Sequence, residues 1–391
     1  MAAERSAVHA KADRRPLFER TGEPVDRLFL ILLLMLLGIG LVMLYSASFA
    51  QSLYDTGYTV STRYFRKQGF CALIGLGAMA VMSRLPADFW RRMAWPLYGV
   101  SILLLLLVLV FGESVNGARR WINIAGIQFQ PSEIAKFAMI LLFSRLTENF
   151  GKKSQSFRFG VLGFGGALLG ILVPLALEKH LSAIMLMGMV AVVMMFVAGT
   201  RIRWLLAAAG AAVLFAAVYV SFMGYAGDRV TAWLHPEQDP GDTGYQILQS
   251  LYAIGSGGLF GLGLGKSRQK YLYLPFQYND YIFAVICEEL GLAGAALIVL
   301  LFSALILRGY RIALWAPDRF STVLAAGLVT LIAVQTVLNL CVVTNLLPST
   351  GIALPFFSYG GTALAVNLGE MGIVLGISRN RNRAARQERL L

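Results

Sequence analysis

Uninterrupted apolar runs long enough to cross a bilayer recur along nearly the whole 391-residue chain. A hydrocarbon core of about 30 Å takes roughly 20 apolar residues per helix. Composition agrees: 57% of residues are apolar and 14% charged, where a soluble domain carries about a quarter charged. A soluble globule of this length would lack the polar surface to stay in water. The pattern predicts an all-α polytopic membrane protein.

Ten transmembrane helices are expected, over 28–49, 66–83, 95–111, 131–147, 159–176, 182–199, 204–222, 281–307, 321–345 and 356–378. Three parts follow: a basic tail at 1–27, a ten-helix membrane domain over 28–378, and a second basic tail at 379–391. An even number of spans puts both tails on one side. That side, with its loops at 84–92, 145–158, 201–203 and 308–319, holds 23 of the 34 lysines and arginines, so both termini are expected in the cytoplasm. The net charge of +13 is spread over six short segments beside spans, where topology and anionic headgroups account for it. No nucleic-acid partner is implied. The tail before the first span lacks a signal-peptide pattern. Cys71, Cys287 and Cys341 lie in apolar runs and imply no disulfide framework.

The opposite face is marked by 111–130, by a tight Glu178-Lys179-His180 turn, and by a large outer loop between helices seven and eight, at 223–280. A connection this long is usually functional or disordered. Helical spacing over 245–254 favours a folded loop lying against the membrane face.

Ionisable groups in or at the ends of spans are costly and therefore few: Glu133, Lys136, Glu178, Lys179, His180, Asp280, Glu288, Glu289 and Glu370. Gln130-Pro131-Ser132-Glu133 reads as a helix start, with Lys136 adjacent on its surface. The two charges are either a self-neutralising pair or a lysine directed at an anionic substrate. Asp280 opens span eight near water, as a helix cap or as a chemical group. About 100° per residue puts Glu288 some 12 Å deeper and Glu289 on the other face, so the three acids cannot form one cluster. Glu288 and Glu289 are expected to partner polar groups of other spans. The glycine run 255–265 before Lys266-Ser267 looks like a phosphate loop, but Phe260 stands where that motif needs glycine; tight turns or close backbone packing explain it better. Metal-ligand spacing of His and Cys is missing. A divalent cation, Mg²⁺ or Mn²⁺, can still be shared between Asp280 and a substrate diphosphate.

These motifs resemble one family. Leu44-Tyr45-Ser46-Ala47-Ser48, Asn116 to Ile122, Gln130 to Glu133 with Lys136, Arg229 to Trp233, Gly244-Tyr245-Gln246 with Gln249-Ser250, Gly255 to Gly265, Asp280 to Ala284 with Glu288-Glu289-Leu290-Gly291, and Leu354 to Gly361 match in order the SEDS proteins (shape, elongation, division and sporulation), which are peptidoglycan polymerases. Gly263 to Lys270 is closer to the division and sporulation branch (FtsW, SpoVE) than to the elongation branch (RodA). Phe276, Asn279 and Cys287 depart from the usual pattern. The resemblance implies inverting glycosyl transfer on the outer face of the cytoplasmic membrane, with lipid II joined to a growing glycan and its diphosphate carrier released. It also implies a class B penicillin-binding protein as partner and maps the essential acid to Asp280. Contacts to substrate are expected from Arg120, Glu133, Lys136, Lys179, His180, Arg229, Lys266, Arg268, Lys270 and Ser358. The rivals are a lipid II flippase, whose site would lie near the midplane at interrupted helices, and a silent division scaffold.

The charge asymmetry yields the first prediction. A reporter active only outside the cytoplasm works when fused within 226–270 and fails when fused after Arg379; the reverse result would move every candidate residue to the other face.

Overall fold

A computed structural model describes residues 24–115, 118–124, 127–210, 231–238 and 243–388. In chain order the helices are α1 (Arg27–Asp55), α2 (Arg63–Met82), α3 (Ala87–Phe111), α4 (Pro131–Phe150), α5 (Phe164–Leu177), α6 (Leu181–Val197), α7 (Thr243–Ser256), α8 (Ile282–Leu314), α9 (Arg319–Val343) and α10 (Gly361–Glu388). A π-helical turn over Arg158–Gly163 leads into α5. Six of these are long and apolar enough to cross a membrane, namely α1, α3, α5 with its leading turn, α8, α9 and the Gly361–Arg379 part of α10. α6 is apolar but shorter. The expected span 204–222 begins in a helix over 202–210 and then leaves the described residues.

The all-α expectation needs one correction. Between α3 and α4 the chain forms a three-stranded antiparallel sheet, β1 (Glu113–Val115), β2 (Ala118–Ile124) and β3 (Ile127–Phe129), in the order β1-β2-β3. Glu113 pairs with Trp121 and Ile122 with Phe129. Both connections are only two residues long, which is hairpin geometry.

The bundle is apolar outside and encloses its polar groups within a largely apolar core. Leu73, Leu103, Leu169, Leu297 and Leu300 are exposed, whereas Ser48, Gln68, Glu133, Lys136, Glu289, Asn339 and Glu370 are buried. That distribution suits lipid as the solvent, since polar groups must then be met within the protein.

Contacts sort the two ends of the bundle. At one end Arg308 grips the Asp26 carboxylate through Nε and Nη2 at 2.8–3.1 Å, and the Asp26 N–H donates to Ser378 Oγ at 3.0 Å. Nearby, Arg91 joins Glu148 at 3.1 Å and Asp318 at 2.7 Å and lies over the Phe320 ring, tying α3, α4 and the α8–α9 connection. At the other end Arg120 donates to the Lys179 carbonyl and Ser182 to the Thr350 carbonyl, while Tyr64 packs on Tyr278 and Tyr359. The segments expected on one membrane face therefore meet one another.

α8 is not continuous. Gly291 has φ 65° and ψ −169°, which breaks the helix one third of the way along. The glycine-rich segment after α7 fills the break with its own backbone. Leu262 and Gly263 N–H donate to the Glu288 and Glu289 carbonyls at 2.9 and 3.0 Å, and Leu292 and Ala293 N–H donate to the Gly258 and Leu259 carbonyls at 2.9 and 3.0 Å. The approach is so close that a Cβ on Gly291 would stand 2.3 Å from Gly261 N, and one on Gly261 2.2 Å from the Glu289 carbonyl oxygen. Close backbone packing, the preferred reading of the glycine run, is what the structure shows. The large loop does more than lie on the membrane face, because this contact is roughly 13 Å down α8 at 1.5 Å per residue, with Leu259 and Phe260 exposed beside it.

Gly291→Ala and Gly261→Ala are each expected to lose about 1–3 kcal/mol in unfolding measurements on detergent-solubilised protein, the scale of an overpacked or strained backbone site. Gly77→Ala is the control, because nothing lies within 4 Å of the added Cβ; equal effects at the three positions would contradict the packing account.

Candidate active site

The end of the bundle away from Asp26 and Arg308 builds a polar site from two halves. The first is the turn between α5 and α6. α5 runs through Pro174 to Leu177, the Glu178 N–H closes its last turn on the Pro174 carbonyl at 3.0 Å, and Lys179 turns the chain in the left-handed region at φ 55°. Glu178 and His180 are consequently buried while Lys179 stays exposed. Arg120, carried by β2, reaches the Lys179 carbonyl and interacts electrostatically with both Glu178 and His180. Under this turn lies the start of α4, with Pro131 at its first position and Glu133 in its first turn. Lys136 Nζ stands 2.8 Å from Glu133 Oε1, and the residues are only 4% and 7% exposed. Glu370 of α10 faces this pair electrostatically, and neither of its carboxyl oxygens has a hydrogen-bond donor among the described residues.

The second half surrounds Asp280, two residues ahead of α8, whose N-cap position is Tyr281. Asn339, fully buried on α9, donates to the Asp280 carbonyl at 2.8 Å and to the Ile352 carbonyl at 2.7 Å. The 345–360 segment is thereby drawn against Asp280. Gly351 passes its carboxylate at φ 71°, and an added Cβ there would be 3.3 Å from Asp280 Oδ2. Ser358 Oγ donates to the Asn279 carbonyl at 2.7 Å and accepts from Leu354 N–H at 2.8 Å. Gln68 on α2 closes the shell, donating to the Ser358 carbonyl and accepting from Gly360 N–H, both at 3.1 Å. Ser182 joins the halves through the carbonyl of Thr350, the neighbour of Gly351.

Arg120, Glu133, Lys136, Lys179 and His180 thus gather round one turn, and Asp280 and Ser358 round the adjoining segment. Ser358 is occupied in holding the backbone on either side of Asp280. Lys266, Arg268 and Lys270 form a separate group. Lys266 and Arg268 are exposed, but Lys270 is 2% exposed and its Nζ stands 2.9 Å from Glu289 Oε1 and 3.1 Å from Ser46 Oγ. Its expected place at a diphosphate is corrected accordingly: the ammonium is enclosed in an ion pair. Glu289 also accepts from Ser46 Oγ and from Gly265 and Ser267 N–H, and Glu288 from Ser267 Oγ and Arg268 N–H. Both acids are buried; Glu289 meets another span through Ser46, as expected, whereas Glu288 is met by Ser267 and Arg268 of the preceding loop rather than by another span. Arg229 lies outside the described residues. Asn339 and Gln68 escape sequence reasoning; the available signal is a side-chain amide inside an apolar run, which needs an internal partner as a charge does.

Charge balance at the turn favours an anion. Burial raises the Glu178 carboxyl to about 8 against the pull of Arg120, and burial with Arg120 and Lys136 lowers His180 to about 3. At neutral pH His180 is uncharged and Glu178 largely so, and the groups round the turn, Arg120 and Lys179 with the Glu133–Lys136 pair, together carry net positive charge. Among the described residues no group of three His, Cys, Asp or Glu side chains could hold a metal ion. The described residues therefore offer no dedicated metal centre, and a cation at Asp280 would need further ligands from substrate.

The profile of the FtsW/RodA/SpoVE family, described as cell cycle protein, matches residues 26–383. A probable peptidoglycan glycosyltransferase FtsW of Geobacter sulfurreducens is 41% identical over 362 residues, covering 90% of this chain and 96% of the relative. Stage V sporulation protein E of Bacillus subtilis is 40% identical over 370 residues, covering 90% and 97%. The rod shape determining protein RodA of Thermus thermophilus superposes with a TM-score of 0.68 at 28% identity, covering 91% and 97%. A chain from a structure on the coordination of polymerization and crosslinking by a peptidoglycan synthase complex superposes with a TM-score of 0.76 at 28% identity, covering 91% and 98%.

Two outcomes are expected. Lys136→Met loses most polymerising activity while the protein still inserts, and Glu133→Gln/Lys136→Met, which leaves no unpaired buried charge, is folded and equally inactive; normal activity in either would make the pair a feature of the helix start alone. Glu178 keeps its proton in the folded state up to about 8, so its contribution to stability is present below the unfolded carboxyl value and lost as pH rises through 8. His180 works oppositely, its contribution falling as pH drops below its ordinary value of 6.5. Between pH 6.5 and 8 the His180 contribution is constant, and Glu178→Gln should lessen the decline in unfolding temperature across that window.

Proposed function

The chain belongs to the FtsW/RodA/SpoVE family of cell cycle proteins and is a peptidoglycan glycosyltransferase; from that premise we propose that it polymerises lipid II on the outer face of the cytoplasmic membrane, with Asp280 as general base. The carrying observation is a carboxylate whose backbone is held at a polar site, with the cations Arg120 and Lys179 across one short segment from it. An α-linked diphosphate displaced to give a β-1,4 bond is inverted at the anomeric carbon. The acceptor 4-hydroxyl attacks that carbon, its proton passes to an Asp280 oxygen, and the bond to the diphosphate breaks with the electron pair leaving on the carrier. Arg120, Lys179 and Lys136 are the cations proposed to meet the developing charge. Asn339, Ser358 and Gln68 fix the backbone round Asp280, and base catalysis needs such positioning. A divalent cation, Mg²⁺ or Mn²⁺, would have Asp280 as its protein ligand and diphosphate oxygens as the others.

A ten-span topology with cytoplasmic termini is part of this reading. Residues of the basic loops meet at one end of the bundle and the site residues at the other. Identity of 40–41% to FtsW and SpoVE, against 28% to RodA, supports a role in division or sporulation. A class B penicillin-binding protein is the partner proposed to crosslink the product, supported by the likeness to a chain of a peptidoglycan synthase complex. The interrupted α8 is the feature a flippase would use. Here the freed backbone groups are filled by the glycine-rich segment and both acids beside the break are satisfied, so the break is closed.

Asp280→Asn keeps size and removes the proton acceptor. Purified protein given lipid II should polymerise about 10²–10⁴-fold more slowly, the range of a general base, with insertion intact. Polymerisation at the wild-type rate would remove Asp280 from the role.

A further inference from the structure

Beside Asp280 stands an aromatic group that the chemistry above does not use. Tyr64 lies in the first turn of α2, Tyr278 two residues before Asp280, and Tyr359 next to Ser358. The Tyr64 and Tyr278 ring centroids are 4.5 Å apart at 36°, Tyr359 meets Tyr64 edge-on at 4.9 Å, and Tyr278 and Tyr359 are 5.9 Å apart. The backbone fixes the trio to the site, because Tyr359 N–H donates to the Tyr278 carbonyl at 2.9 Å and Ser358 Oγ to the next carbonyl, that of Asn279. All three rings are partly exposed. Their rim is polar: the Tyr64 hydroxyl donates to Asp55, the Tyr278 hydroxyl lies 3.5 Å from it, and Arg63 interacts electrostatically with Tyr278 and Tyr359.

Tyrosines also form interfacial belts. Tyr54, Tyr58, Tyr271 and Tyr273 fit that description, each more than half exposed. The trio differs in being packed together, turned inward and bound to the residues that flank Asp280. Partly exposed rings with a carboxylate and a guanidinium at their edge match a pyranose, whose C–H face is apolar and whose rim carries hydroxyls and amides.

We propose that Tyr64, Tyr278 and Tyr359 form the saccharide subsite that stacks the acceptor end of the glycan and presents its 4-hydroxyl to Asp280. The inference rests on the reading of Asp280 as base, and its test does not depend on catalysis.

The probe is a lipid-free β-1,4-linked tetrasaccharide of alternating N-acetylglucosamine and N-acetylmuramic acid, titrated into full-length Asp280→Asn protein in nanodiscs. The parent should bind it, Tyr278→Ala and Tyr359→Ala should each weaken binding about tenfold, the worth of one aromatic contact, and Tyr278→Phe and Tyr359→Phe should stay within about threefold. A second measurement needs no variant: saturating the aromatic protons of the parent should transfer to the protons on the apolar face of the sugar. Failure of the parent to bind, alanine variants binding as tightly as the parent, or absence of that transfer overturns the proposal and leaves the trio as part of the belt. Should Asp280→Asn prove fully active while the alanine variants weaken binding, the base is misassigned and the subsite stands.

Discussion

In hydrocarbon no water is at hand to meet a backbone amide, a carbonyl or a charge, and each must find its partner inside the chain. The clearest consequence is the break in α8. Gly291 frees carbonyls at Glu288 and Glu289 and amides at Leu292 and Ala293, and the 257–263 backbone supplies every one of those four partners. Only glycine permits such an approach. The same loop then carries Ser267 and Lys270 to Glu288 and Glu289. These charges are therefore occupied in fixing the loop, while the 271–280 stretch that follows delivers Asp280 to the end of the bundle that holds the polar site.

That constraint also explains what the sequence makes legible. Apolar runs reveal spans because lipid-facing surface has to be continuous, and the pairing of basic loops at one end follows from their charge. Asp280 can be singled out because it lies in a motif at a span boundary. The glycine run is separable from a phosphate loop by the residue at 260, although its partner across Gly291 is not. Lys270 could not be placed beforehand, because a lysine after glycines looks solvent-facing until Glu289, nineteen residues on, and Ser46 of α1 close over it. Asn339 and Gln68 are hidden for the same reason: their partners are backbone carbonyls and amides of remote segments. The sheet at 113–129 was unreadable because strands of three to seven residues have little periodicity to display.

The site is divided by function as well as by geometry. One half, round the 178–180 turn, concentrates positive charge; the other, round 350–352, holds one carboxylate by its backbone. Ser182 is the link, so a shift of α6 relative to the 345–360 segment would change the distance between acid and cations. Under the proposed function each half has a distinct duty, cations binding the diphosphate and Asp280 accepting the proton.

The most direct test of that division is equilibrium binding of lipid II, measured without turnover, to purified Asp280→Asn and Glu133→Gln/Lys136→Met proteins. A base that takes no part in ground-state binding leaves the affinity of Asp280→Asn within a few-fold of wild type. Loss of a charge-assisted contact should weaken the double variant by about tenfold or more. Binding lost in Asp280→Asn and kept in the double variant would contradict the account, assigning the diphosphate to the wrong half of the site.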